Sequence, residues 1–247
     1  MKTKEEVLQN CTVDGLVVKL PSQALDSKLY QDVAKSLKLI GGKWKGGKVY
    51  GFVFPTDPTE LLSQIANGDK RNLKKEYQFF ATPDEIANWL ADLASLDVND
   101  LVLEPSAGQG AIIKAIQKRN VIKPVSYCEL MEINQTFLSK LDNVDMLCSD
   151  FLLIKEGSPL RFDKIVANPP FSKNQDIDHI RKMYELLEVD GRIVSVASKH
   201  WQQCSNKKEN EFREWLKYIN AEIIEIPKGA FKESGTMISS CVIIINK

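Results

Sequence analysis

Along residues 28–40, Leu29, Val33, Leu37 and Ile40 recur at three-to-four spacing between polar positions, a period that predicts an amphipathic helix stopped by Gly41-Gly42. Lys43-Trp44-Lys45 and Lys48-Val49-Tyr50-Gly51-Phe52-Val53-Phe54 predict two strands around the Gly46-Gly47 turn, and a short helix follows near 58–67. The basic, polar stretch Asp69-Lys70-Arg71-Asn72-Leu73-Lys74-Lys75 reads as a linker. It sets an expected boundary between a small α+β extension, residues 1–75, and a larger domain, residues 76–247. There the rhythm becomes alternation: helix 83–96, strand 101–103, helix 109–119, strand 124–128, helix 132–140, strand 144–148, strand 164–167, helix 176–188, strand 192–196, helix 207–218, then strands near 221–226 and 240–246. Alternating strands and helices predict an α/β fold with a doubly wound parallel sheet, and the two closing strands predict an antiparallel hairpin at its C-terminal edge.

Composition narrows this little. With 43% apolar and 27% charged residues the chain has ordinary soluble character, which argues against disordered, collagenous and membrane classes. No run approaches the roughly 18 apolar residues of a membrane span, and the charged start Met1-Lys2-Thr3-Lys4-Glu5-Glu6 leads into no apolar signal core. A cytoplasmic location without membrane contact is expected. The formal charge is zero, yet residues 1–80 hold thirteen Lys/Arg against nine Asp/Glu, which reads as a basic arm on a neutral protein. Cys11, Cys128, Cys148, Cys204 and Cys241 form no C-x-x-C pair and only two histidines accompany them, so reduced thiols and no metal site are expected.

Candidate chemistry begins at Leu101-Val102-Leu103-Glu104-Pro105-Ser106-Ala107-Gly108-Gln109-Gly110, an apolar strand that ends in an acid and turns through small residues into a helix. In a doubly wound fold that crevice holds nucleotides. Gly108 and Gly110 would let the backbone come close to a ligand. The spacing is not G-x-G-x-x-G, and an acid before the turn repels a pyrophosphate but attracts a cation such as S-adenosylmethionine, with its ammonium and sulfonium groups. The next strand, Pro124-Val125-Ser126-Tyr127-Cys128, ends in Glu129, suited to ribose hydroxyls, with Glu132 the competing choice. Asp150-Phe151 ends the following strand with an acid and a ring, suited to an adenine amine and an adenine face.

Asn168-Pro169-Pro170-Phe171 follows the apolar strand Ile165-Val166-Ala167. Two prolines fix the backbone and remove donors, so this loop offers acceptors. An exocyclic nucleobase amine is a poor nucleophile because its lone pair is delocalised into the ring. Accepting its two N–H groups at the Asn168 side-chain oxygen and the Pro169 carbonyl would free that lone pair without a strong base. Phe171 would stack on the base, a contact of about 1–3 kcal/mol in nucleic-acid sites.

In this combination the chain resembles the N6-adenine DNA methyltransferases, in the arrangement where the cofactor motif precedes the catalytic motif; compact phage and mobile-element members look most like it. Gln78-Phe79-Phe80-Ala81-Thr82-Pro83 is similar to the family's motif ahead of the cofactor strand, which implies that Phe80, Thr82 and Pro83 contact the methionine moiety. The resemblance further implies an S-adenosylmethionine site at Glu104, Ser106, Ala107, Gly108, Gly110, Glu129, Leu130, Asp150 and Phe151. It implies a catalytic loop at Asn168, Pro169, Pro170 and Phe171. The stretch Pro227-Lys228-Gly229-Ala230-Phe231 through Thr236 resembles the family's late motif, with Phe231 touching a flipped base. Double-stranded DNA is the implied partner, and the implied fold is the Rossmann-like methyltransferase sheet.

The likeness covers about residues 77–247 and lacks the large target-recognition domain of restriction-type relatives. Trp44 with Lys43, Lys45 and Lys48 suits gripping a nucleic-acid backbone and stacking on a base, while a hairpin packing Trp44 on its own core explains the same residues. Lys70, Arg71, Lys74 and Lys75 read equally as a phosphate-contacting patch or a solvated linker. The N-P-P-aromatic loop also serves enzymes that methylate amines in structured RNA or a protein glutamine amide; a non-catalytic nucleic-acid-binding protein of the same fold is the reading from another class. A cytosine C5 enzyme is excluded, since no cysteine follows a proline. His200-Trp201 is read as structural.

Overall fold

The computed structural model describes residues 2–76, 81–227, 229–231 and 238–247. The chain divides into two compact units, residues 1–79 and 80–247, against the boundary at 75/76 expected from the basic linker.

In the first unit the order is α1 (Lys4–Gln9), β1 (Thr12–Asp14), β2 (Val17–Lys19), α2 (Ser27–Leu39), β3 (Lys43–Lys45), β4 (Gly51–Val53), α3 (Thr59–Ala66) and α4 (Leu73–Glu76). The predicted amphipathic helix is α2, capped by the Asp26 carboxylate accepting from the Leu29 N–H at 2.9 Å, and it buries Val33, Ala34 and Leu37. The glycine hairpin pairs Trp44 with Phe52 and Lys45 with Gly51. Two strands absent from the sequence reading, β1 and β2, extend it into an antiparallel sheet of order β1-β2-β4-β3. Val7, Leu8, Val18, Val33, Leu37, Ile40, Phe52, Phe54 and Leu62 form this unit's core.

The second unit runs α5 (Asp84–Leu93), β5 (Val102–Glu104), α6 (Ala111–Gln117), β6 (Val125–Cys128), α7 (Glu132–Leu138), β7 (Val144–Cys148), β8 (Phe162–Ala167), α8 (Gln175–Leu186), β9 (Leu187–Ser198), α9 (His200–Gln203), α10 (Lys207–Tyr218), β10 (Glu222–Glu225) and β11 (Ser240–Asn246). Its seven-stranded sheet has the order β10-β11-β9-β8-β5-β6-β7, with β5 through β9 parallel and β11 antiparallel to both neighbours.

The central strands read as continuous apolar runs because both sheet faces are covered. Alternation then sorts their side chains. Val166, Val194, Val196, Val242 and Ile244 join Leu90, Ile112, Ile113 and Ile116 of α5 and α6 on one face. Ile165, Ala167, Ile193, Ala197, Ile243 and Ile245 join Ile180 and Met183 of α8 and Phe212 and Leu216 of α10 on the other. Each fully buried side chain of this size contributes about 1.5–3 kcal/mol, so the sheet is the rigid part on which loops are mounted. Among the described residues no helix is long and apolar enough to cross a membrane.

Candidate active site

Four polar residues leave the carboxyl ends of adjacent parallel strands: Glu104 from β5, Glu129 after β6, Asp150 after β7 and Asn168 after β8. The neighbours of β5 continue in opposite directions, β6 to one side and β8 to the other, and such a switch point leaves a crevice above the strand ends. The pairings of Leu103 with Ser126 and with Ile165 bring the three inner strand ends level.

Glu104 is 2% exposed, and its Oε2 accepts from the Ile113 N–H at 3.1 Å, satisfying an orphan donor in the first turn of α6. Burial, and then the neighbouring Glu129 carboxylate, push its carboxyl well above the usual range. Glu129, 7% exposed, accepts from the Gly108 N–H at 2.6 Å through Oε2; its Oε1 accepts from the Met131 N–H at 2.8 Å and from the Asn134 amide at 3.2 Å. Burial raises its carboxyl as well, against the pull of those three donors. Glu132, the competing choice, is exposed. Among the described residues neither Glu104 nor Glu129 has a Lys or Arg partner, an arrangement that suits a cationic ligand.

Several expected roles change. Gly110 is expected to let a ligand come close, and it also serves packing: a Cβ on it would stand 2.7 Å from Leu141 Cδ1 and 3.1 Å from Leu138 Cδ2. With φ at +81°, this glycine serves backbone conformation and helix packing. Gly108, with φ at +55°, donates to Glu129, so the loop Ser106-Ala107-Gly108 is tied to the second acid. Phe151 was to stack on an adenine, but it is 2% exposed in the core, its ring stacked on His179 at 5.5 Å, so it supports the crevice from beneath. Phe231, expected to touch a base, is likewise buried, in the cluster with Ile226 and Val242 that Phe171 also packs against. Asp150 is half-buried and caps the short 3₁₀ turn 151–153 by accepting from the Leu152 N–H at 3.0 Å. Leu130 stays on the surface, an apolar lip beside Glu129.

The Asn168-Pro169-Pro170-Phe171 loop leaves β8 with Pro169 buried and the other three residues half-buried. The Asn168 amide nitrogen donates to the Thr82 hydroxyl oxygen at 3.0 Å. That bond fixes the amide plane, and among the described residues the side-chain oxygen has no hydrogen-bond donor. The sequence suggested no such pairing across 86 positions, since Thr82 and Pro83 stood out only as ligand contacts, and Pro83 instead flanks the start of α5. Asn134 and Gln135 also escaped sequence reading; Gln135 Nε2 donates to the Glu129 carbonyl at 2.6 Å, so α7 buttresses the second acid. Phe80, with Gln78 and Phe79, lies outside the described residues, as do Lys228 and residues 232–237 of the late motif.

In the first unit Trp44 is 37% exposed, packed edge-on against Phe52 and Tyr50 at ring separations of 5.1 and 5.3 Å. With Tyr30, Lys35, Lys38 and Phe52 it lines a shallow groove of about 540 Å³, and Lys43 and Lys45 flank it on the exposed β3. Trp44 thus packs on its own hairpin and keeps an accessible face. In the basic stretch, Arg71 pairs with Glu76 at 2.7 Å.

No protein-family model matches the chain. It is 33% identical over 128 residues to the probable ribosomal RNA small subunit methyltransferase A of Methanococcus maripaludis (strain C7), covering 50% of this chain and 46% of that protein. It is 33% identical over 122 residues to the modification methylase CviBIII of Paramecium bursaria Chlorella virus NC1A, covering 45% of this chain and 32% of that one. The chain therefore spans less than half the length of these curated relatives. Among solved structures, the M protein of the type I restriction enzyme EcoKI aligns with a TM-score of 0.57 at 15% identity, over 91% of this chain and 51% of its own. The fold is a Rossmann-like α/β sheet, shared with this M protein.

Proposed function

We propose that this chain transfers a methyl group from S-adenosylmethionine to the N6 amino group of adenine in double-stranded DNA. The observation that carries the reading is the Asn168 loop at the carboxyl end of β8, with the amide nitrogen of Asn168 engaged by Thr82 and its oxygen left to accept. The two buried carboxylates, without a cationic partner among the described residues, support the cofactor assignment.

When bound, S-adenosylmethionine supplies an electrophilic methyl group on a sulfonium. Glu104 would hold its ammonium and Glu129 its ribose, with Ser106, Ala107 and Gly108 lining it and Leu130 and Asp150 flanking its adenine. Asn168 Oδ1 and the Pro169 carbonyl accept the two N–H groups of the target amine, which localises the nitrogen lone pair and stabilises positive charge as it develops. Pro170 fixes the loop, and Phe171 stacks on the base. Both acceptors must reach an amine that is paired in a duplex, so the base leaves the stack. Trp44, Lys43 and Lys45 would contact the nucleic acid.

A specific observation favours a second reading, adenine in structured RNA: the Methanococcus relative is named for ribosomal RNA. A protein glutamine amide is a third candidate for the same loop. Incubation with labelled cofactor and separate DNA, RNA and protein substrates, followed by nucleoside and amino-acid analysis, tests all three. Label in N6-methyladenine from DNA is expected; label only in RNA or protein would refute the DNA reading, and no label in any polymer would refute the enzyme.

A further inference from the structure

We propose that His200, Cys204 and Glu209 form a binding site for a divalent transition metal of the zinc type, at the carboxyl end of β9. His200 opens α9 and Cys204 follows its last residue; the Cys204 N–H donates to the His200 carbonyl at 3.2 Å. Residues four apart on one turn share a face, and the Cys204 Sγ lies 3.0 Å from His200 Nε2. Glu209 enters from the first turn of α10, its Oε1 3.9 Å from the same nitrogen, and all three donor atoms lie within 4.8 Å of one another.

Zinc bonds of about 2.0–2.1 Å to nitrogen, 2.3 Å to sulfur and 2.0–2.2 Å to oxygen in a tetrahedron need ligand atoms roughly 3.3–3.6 Å apart. The separations of 3.0 and 3.9 Å bracket that range. Closing the site needs a small turn of the His200 ring, whose side chain is 60% exposed, and a rotation of Cys204 that brings its Sγ toward Glu209, since the three donor atoms lie within 4.8 Å of one another. The surroundings are built for a ligand set. Glu209 is 1% exposed, and its Oε1 accepts from the amides of Asn174 at 2.8 Å and Asn206 at 3.2 Å, which hold the carboxylate in place; one of these bonds gives way when the same oxygen meets an ion. The Arg213 guanidinium donates to the carbonyls of Trp201 and, at 2.7 Å, of Cys204, which fixes the turn carrying the other two ligands.

One thiolate, one imidazole and one carboxylate select zinc-like ions over magnesium or calcium. On binding, the Cys204 thiol gives its proton to solvent, and three protein ligands leave a fourth position for water. Asn174 lies three residues beyond Phe171, so an ion here would stiffen the segment that follows the Asn168 loop. The spacing H-x3-C-x4-E is not a familiar metal signature, and the sequence alone led to the opposite expectation. The inference stands independently of the proposed reaction.

The test is a Co²⁺ titration of the full, tag-free chain after chelator treatment. A single equivalent should bind with a near-ultraviolet thiolate-to-cobalt charge-transfer band, and Zn²⁺ should displace it. Cys204→Ser should abolish the band, His200→Ala should weaken binding by at least about tenfold, and Cys148→Ser should change neither. No band in the wild-type chain at millimolar Co²⁺, a band that survives Cys204→Ser, or unchanged affinity in His200→Ala would each overturn the site.

Discussion

The two sides of the crevice stand on one sheet edge, yet they are held in different ways. On the β5–β6 side Glu104 and Glu129 are buried and fastened by the N–H groups of Ile113, Gly108 and Met131 and by the Asn134 amide. On the β8 side Asn168 is half-buried and its side chain is oriented by one bond to Thr82. Buried carboxylates are expensive to desolvate, so the fold commits several donors to them and that wall is rigid before any ligand arrives. A neutral amide at the rim needs little support, which leaves it able to adjust to an incoming base. The difference teaches that charge recognition is built into the folding of this domain, whereas the reacting contact is added at its edge.

The largest effect should come from the lightly held side. Asn168→Ala should leave cofactor affinity near normal and lower kcat by about a hundredfold to a thousandfold, the usual loss for a hydrogen bond that matters mainly in the transition state. Asn168→Asp, which still accepts, should retain part of the activity. Wild-type turnover by Asn168→Ala in a nucleoside assay would break the assignment of this loop.

The rigid side should respond differently, with stability and binding lost together. Glu129→Ala strips the acceptor from three buried donors, each costing about 1–3 kcal/mol when left unsatisfied. Because 1 kcal/mol shifts Tm by about 2–4 °C at this size, melting should fall by at least about 6 °C, and calorimetry should show cofactor affinity reduced at least about tenfold. A variant with unchanged Tm would mean that the loop 105–110 does not depend on this carboxylate.

The same contrast explains what was legible in the sequence. Strands buried on both faces, such as β8, β9 and β11, announce themselves as apolar runs, and α10 by its period; the acids and the asparagine are visible because each ends such a run. β1 is exposed along its whole length, so it carries no apolar signal, and β2 pairs with it unseen. Which rings stay accessible was also hidden: Phe151 and Phe231 look like ligand contacts in a motif, but packing put both in the core. The Thr82–Asn168 bond joins residues 86 positions apart through folded geometry, and the His200–Cys204–Glu209 cluster has a local spacing that matches no familiar signature, so neither stood out.

The pH response sharpens the charged side further. Glu104 has an ordinary value of 4.5 and lies well above it in the folded chain, so between those limits the native state holds the extra proton. Folding stability therefore falls as pH rises through that window. Binding of a cation should run the opposite way, because it favours the ionised carboxylate and releases the proton. Cofactor affinity should rise with pH across the mildly acidic range, by up to about tenfold per pH unit for one proton released. Glu104→Gln should flatten the slope. A wild-type affinity independent of pH there would show that the cation does not meet this carboxylate.

The smallest effect should come from Thr82, whose hydroxyl touches neither the cofactor nor the base in the proposed reaction but holds the amide that does. Thr82→Val keeps the shape and removes the acceptor for the Asn168 amide nitrogen. The plane of Asn168 is then free to turn, and for part of the time the nitrogen faces the target amine, where a donor opposes a donor. A net hydrogen bond of this kind contributes about 0.5–1.5 kcal/mol, so kcat should fall by roughly threefold to tenfold. Cofactor affinity should stay unchanged, which separates positioning of Asn168 from the methionine contact that the motif suggested for Thr82. Thr82→Ser, which restores the oxygen, should recover the rate. In the double variant Thr82→Val with Asn168→Ala the loss should equal that of Asn168→Ala alone, since Thr82 has nothing left to orient; additive losses would instead make Thr82 an independent contact to the cofactor.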